Sequence, residues 1–116
     1  MNDLFSNLYL QFLNLAQAIR ELPDFPSLDP VEERLLNSFA SLWFQGEQIT
    51  VLQAMSMSSE ISPTTVHRRL KSLRGKGMIV LVSDDSDNRI KYVQPGGRAE
   101  NYFGLLGQCM EKARSR

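Results

Sequence analysis

The sequence predicts a mainly α-helical chain with one small β-hairpin, and three observations carry that reading. Apolar residues recur at three- and four-residue steps near both ends, as they do along one side of a helix. Between them, Ile49 to Ile79 (ITVLQAMSMSSEISPTTVHRRLKSLRGKGMI) reads as two short helices joined by a tight turn. Two short apolar runs then flank SDDSDNR, a segment of turn formers, which is the pattern of a hairpin. Helix, turn, helix and hairpin in that order make a winged helix-turn-helix, here with a helix added at each end.

The first helix is predicted over Asn2 to Leu22, where Phe5, Leu8, Phe12, Leu15 and Ile19 form one stripe. Leu4, Tyr9, Leu13 and Ala16 widen that stripe beyond the ~100° a surface helix needs. Such a helix is either buried in its own core or shared between its own domain and a second copy, and the second reading is preferred. Pro23, Pro26 and Pro30 then interrupt the pattern. Asp29 caps a second helix with Pro30 at its first position, Glu32 and Glu33 suit its first turn, and Gly46 ends it. Leu35, Leu36, Phe39, Leu42 and Trp43 line its buried side.

Thr50 with Gln53 forms a capping box for a short third helix, and Ser58 to Glu60 make the turn. Ser62 caps the fourth helix, Pro63 opens it, and Gly75 and Gly77 mark its end. Met78–Val82 and Ile90–Val93 are the hairpin strands, and a last helix runs from Arg98 to Arg114. The whole chain, 1–116, reads as one domain. Terminal helices occupy 1–22 and 98–114, the helix-turn-helix 49–76, and the wing hairpin 78–95.

Net charge is zero over 116 residues, but it is unevenly spread. Residues 1–35 hold six acids against two bases, whereas residues 61–83 hold Arg68, Arg69, Lys71, Arg74 and Lys76 and no acid. A local basic face on a neutral protein confines attraction for DNA to one side. With Val66 at the centre of the fourth helix's buried side, Leu70 and Leu73 fall within ~40° of it. Thr64, Arg68 and Lys71 then lie opposite, with His67 and Ser72 on the flanks. Ser62, Thr64 and Thr65 at the start of this helix suit base edges or a thymine methyl, and Arg68 suits guanine. His67, Arg69, Lys71, Arg74 and Lys76 are expected at phosphates or nearby. The plainer alternative is a solvated basic surface; the capped start, the preceding turn and the following hairpin favour DNA.

At the wing tip Asp84, Asp85 and Asp87 oppose phosphate, while Arg89 and Lys91 attract it. Either Asp87 pairs with Arg89 or a helix base and leaves a cation for the minor groove, or the tip is an acidic turn that touches nothing.

These residues resemble a known family. SPTTVHRRLKSLRGKGMI, then the D-x-R of Asp87-Asn88-Arg89, then a strand and a glycine-containing turn into a helix, looks like the MarR-type winged-helix regulators. The likeness covers about Leu28 to Phe103. It implies a homodimeric bacterial or archaeal transcriptional regulator, usually a repressor, on a near-palindromic DNA site. By position it implies that Pro63–Lys76 enters the major groove and Arg89 the minor groove. The terminal helices would dimerise, through Phe5, Leu8, Phe12, Leu15 and Ile19 with Phe103, Leu106 and Met110. A small-molecule effector is a further candidate partner. The chain departs from the family pattern at Gln94-Pro95-Gly96-Gly97, where Leu-Thr and a later Gly are usual, and in having one C-terminal helix where two are common.

No catalytic constellation is present, so an enzyme is not expected. One histidine and one cysteine offer no paired metal ligands, and no metal or cofactor is expected. Cys109 cannot form an internal disulfide, which fits a reducing cytoplasm, and reads as a buried apolar residue before a redox sensor. No membrane span or signal peptide is evident. Two other functions compete with the regulator. A winged helix can be a protein-interaction module without DNA, or the DNA chemistry can serve a phage or plasmid replication or partition factor.

Overall fold

A computed structural model of the chain describes residues 3–115. They gather into two compact units, one from the two chain ends (residues to 27 and from 100) and one from Leu28–Ala99.

The Leu28–Ala99 unit holds α2 (Pro30–Phe44), α3 (Val51–Met55), α4 (Pro63–Gly75), β1 (Ile79–Ser83) and β2 (Lys91–Pro95). Local chemistry sets its helix starts. Asp29 and Glu32 bond reciprocally across the first turn of α2, and Thr50 and Gln53 do the same for α3. Ser62 accepts the Thr65 amide at the start of α4. Helix ends are set by Gly46 and Gly77, both in the left-handed region at φ +79° and +77°. At α4 the Gly77 amide reaches Arg74 O at 3.1 Å and the Met78 amide reaches Leu73 O at 3.0 Å, a Schellman closure.

That closure explains why β1 begins at Ile79 and not at Met78, whose amide the helix end has taken. Likewise Ile90 donates its amide to Asp87 O within the turn, so β2 begins at Lys91 and runs on to Pro95. The strands pair antiparallel, with Leu81 opposite Val93 and Val82 opposite Tyr92. Ile49 O accepts the Val93 amide at 2.7 Å, and Thr50 bridges Tyr92, so the chain entering α3 lies along the free edge of β2. Leu35, Leu36, Phe39, Ile49, Val66, Leu70, Leu73, Met78, Ile79 and Val93 form the core. Trp43 is half-buried and donates its indole N–H to Val93 O at 3.0 Å. The expected buried side of α4 is therefore the observed one.

The unit from the chain ends holds α1 (Leu4–Arg20) and most of α5 (Gly97–Arg114). Asp3 caps α1 by accepting the Ser6 amide; Asn2, placed in this helix by the sequence, lies outside the described residues. α1 stops at Arg20, short of Leu22, because the residue before Pro23 is sterically disfavoured in helical geometry. Arg20 Nε donates to Tyr102 Oη at 2.7 Å, and the Phe25 and Tyr102 rings lie 5.9 Å apart. Tyr102, Cys109 and Ala113 are buried along one stripe of α5, so Cys109 is the small buried residue expected.

In α1 only Ala16 is fully buried. Phe5 is 74% and Tyr9 60% exposed, and Leu4, Leu13, Leu22 and Met110 are exposed as well. Leu8, Phe12, Leu15, Ile19, Phe103 and Leu106 are half-buried. Burial among the described residues of this unit does not account for this apolar surface. Among the described residues no helix is long and apolar enough to cross a membrane.

Candidate nucleic-acid interface

α4 presents three distinct sides. Val66, Leu70 and Leu73 face the core. Thr64, His67, Arg68, Lys71 and Arg74 are exposed, and none of them is apolar. On the third side, Arg69, Ser72 and Lys76 recur at steps of three and four and face the start of α2.

That third side changes the expected role of two cations. Lys76 is no free phosphate contact, because its ammonium lies 2.7 and 2.9 Å from the two carboxylate oxygens of Glu32. Glu32 is 1% exposed. Its carboxylate also accepts Ser72 Oγ at 2.7 Å and the Asp29 amide at 2.9 Å. Burial raises the Glu32 pKa, but the bonds from the Asp29 amide, Lys76 and Ser72 outweigh it and hold the carboxyl below its ordinary value. Arg69 is half-buried, with Nε 3.0 Å from Asp29 Oδ2 but not aligned for a hydrogen bond. Thr65 is also half-buried, its hydroxyl bonded to that of Ser62 at 2.9 Å, so Ser62 and Thr65 together build the start of α4.

The wing is organised by its own acids. Asp84 accepts the Ser86 and Asp87 amides and the Tyr92 hydroxyl, the last at 2.7 Å. The Tyr92 bond, then that from Ser86, lowers the Asp84 pKa, because both favour the ionised carboxylate. Asp87 accepts Arg89 twice, at 3.0 and 3.1 Å, and also its backbone amide. Arg89 nonetheless remains 90% exposed at the tip. The pairing of Asp87 with Arg89 that one of the two expectations for this tip included is present. Lys91 closes the ladder just below the tip, opposite Ser83 and bonded to its Oγ at 3.0 Å.

Helix and wing face one another over a shallow groove. Its first part, about 190 Å³, is lined by Val51, His67, Leu70, Lys71, Arg74 and Leu81. Its second, about 450 Å³, continues past Val51 and Leu81 to Leu52, Arg89, Ile90 and Lys91. Cations from α4 thus stand on one bank and cations from the wing on the other, over an apolar floor. Ser62, Thr64 and Arg68 lie outside this groove lining, Thr64 and Arg68 on the outer side of α4 and Ser62 at its exposed cap.

Sequence reading missed Glu32, Asp84 and Tyr92 as organising residues. The Asp29-x-x-Glu32 spacing was a visible signal for the first; Asp84 and Tyr92 meet only once the hairpin forms.

No family model and no curated protein matches the sequence. Solved structures do match. A variant of MepR from a multidrug-resistant S. aureus clinical isolate aligns at TM-score 0.64 and 17% identity, covering 97% of this chain and 76% of that one. The heme sensor protein PefR from Streptococcus agalactiae, solved with heme, aligns at TM-score 0.59 and 16% identity, covering 96% and 71%. A probable transcriptional regulator from Pseudomonas aeruginosa aligns at 0.52 and 16%, covering 96% and 80%. The chain has the winged helix-turn-helix fold of the MarR-type regulators that its sequence resembles.

Proposed function

We propose that the protein binds double-stranded DNA sequence-specifically as a homodimeric transcriptional regulator, of the repressor kind that the resemblance implies. One observation carries the reading: beyond Pro63 the exposed side chains of α4 are polar or cationic, and they stand beside a groove whose opposite bank holds Arg89 and Lys91. A protein-interaction surface would put apolar residues on that side of α4. Regulators of similar fold, including one described as a heme sensor, support the class of function.

In this account Thr64 and Arg68 read base edges in the major groove, and His67, Lys71 and Arg74 contact or approach the backbone. Arg89 enters the minor groove, steadied by Asp87. Two variants test the division of labour on a duplex enriched for binding. Arg68→Ala is expected to cost about 1–3 kcal/mol and to relax one base position. Lys71→Ala should weaken binding on all sequences alike and reduce the salt slope by about one. Equal loss on every duplex for Arg68→Ala would make that residue a phosphate contact.

The exposed apolar surface of α1 supports self-association. Phe5→Asp with Tyr9→Asp should convert a dimer to monomer in sedimentation velocity while leaving the helical circular dichroism unchanged. A wild-type monomer at high micromolar concentration would reject the dimer.

A further inference from the structure

We propose that Glu32 is a positioning residue for DNA reading: from α2, its buried carboxylate fixes the rotation of α4 about its own axis. The inference rests on the DNA reading above. Apolar packing through Val66, Leu70 and Leu73 holds α4 against the core, but such contacts are non-directional and tolerate some rotation. Hydrogen bonds to a carboxylate are directional and short-ranged. A single carboxylate grips Ser72 and Lys76, one helical turn apart on the same side of α4, and is itself anchored by the Asp29 amide at the start of α2. Arg69 against Asp29 extends the same contact one turn toward the reading end. The reference for α4 therefore lies outside α4, in a helix that presents nothing to the groove.

The angular tolerance at stake is small. At the ~5 Å outer radius of a helix, a rotation of about 20° sweeps a side chain nearly ~2 Å, more than a two-bond contact to a base edge tolerates. Phosphate contacts through flexible lysines absorb such a shift. Loosening Glu32 should therefore damage discrimination between sequences more than affinity for DNA in general.

The experiment compares binding to a wild-type-selected duplex with binding to a random duplex, each corrected to the folded fraction. Glu32→Gln sets an amide nitrogen against the Lys76 ammonium. It is expected to lower the ratio of selected to random affinity about tenfold, the size of one weakened base contact. Random-duplex affinity should hold or rise as Lys76 is released toward solvent. Glu32→Gln with Lys76→Gln replaces the mismatch by a neutral hydrogen-bonded pair and should restore most of the ratio. A ratio unchanged in folded Glu32→Gln would overturn the proposal and leave Glu32 a stability residue, with the DNA reading intact. If Glu32→Gln does not fold, Ser72→Ala, which deletes one of the bonds, should lower the ratio about threefold, within the range of one ordinary hydrogen bond; no change there would overturn it equally. A wild type that prefers no duplex over the random pool would overturn the DNA reading itself.

Discussion

Lys76→Met should lower the unfolding free energy by about 3 kcal/mol, the low end for breaking a buried ion pair, because the ammonium keeps some solvent contact. The loss arises at Glu32, which stays buried with bonds from Ser72 and the Asp29 amide but without its counter-charge. The pH dependence identifies the cause. In the wild type the Glu32 pKa is depressed below its ordinary 4.5, so its contribution is complete above that value and is lost as pH falls through the depressed one. In Lys76→Met the burial penalty remains while two lowering contributions disappear, so the carboxyl moves upward. Acid should then cost the variant less than it costs the wild type. Denaturant unfolding at pH 7 and near pH 4 reads this directly: the gap between the two proteins narrows. A gap independent of pH would assign the loss to packing of the lysine stem.

Gly96→Ala should cost a similar amount, about 3 kcal/mol, by a steric route at the upper range for overpacking. Gly96 is buried where β2 passes into α5, and its amide donates to Met78 O at 3.0 Å. A Cβ there would lie 2.9 Å from the Gly77 carbonyl carbon and closer still to its oxygen. Both atoms belong to backbone already fixed by the α4 closure, so neither can yield cheaply. Gly97→Ala serves as the control, since a Cβ there meets nothing within 4 Å, and it should be near neutral. The Gln94-Pro95-Gly96-Gly97 segment, the sequence's departure from the family pattern, thus has a definite packing task. Equal thermal midpoints for the two variants would contradict it.

The parts of this fold that were legible in the sequence are those written within four residues. Thr50 with Gln53, Ser62 with Pro63, and the Val66, Leu70, Leu73 stripe are local, and each element they predict is present. Strand starts were off by a residue because Met78 and Ile90 have their amides claimed by a helix end and a turn, which outrank β-propensity. Exposure on α4 followed from helical geometry for Thr64, Arg68 and Lys71. Lys76 and Arg69, expected at phosphates from their charge, face acidic partners that lie 40 or more residues earlier. Charge alone cannot separate a cation that faces solvent from one gripped by a buried acid. The breadth of apolar surface on α1 was readable, but only the structure shows that, among the described residues of its own unit, much of it stays exposed.

If α4 and the wing read DNA, they do so by sequence and as a symmetric pair. The measurement that tests it most directly is selection from a random duplex pool at two salt concentrations, with sequencing of the bound fraction. A two-fold symmetric site with half-sites about one helical turn apart should be enriched, with affinity that falls steeply as salt rises. No enrichment and no binding even at low salt would contradict it, and would favour a winged helix that docks on protein.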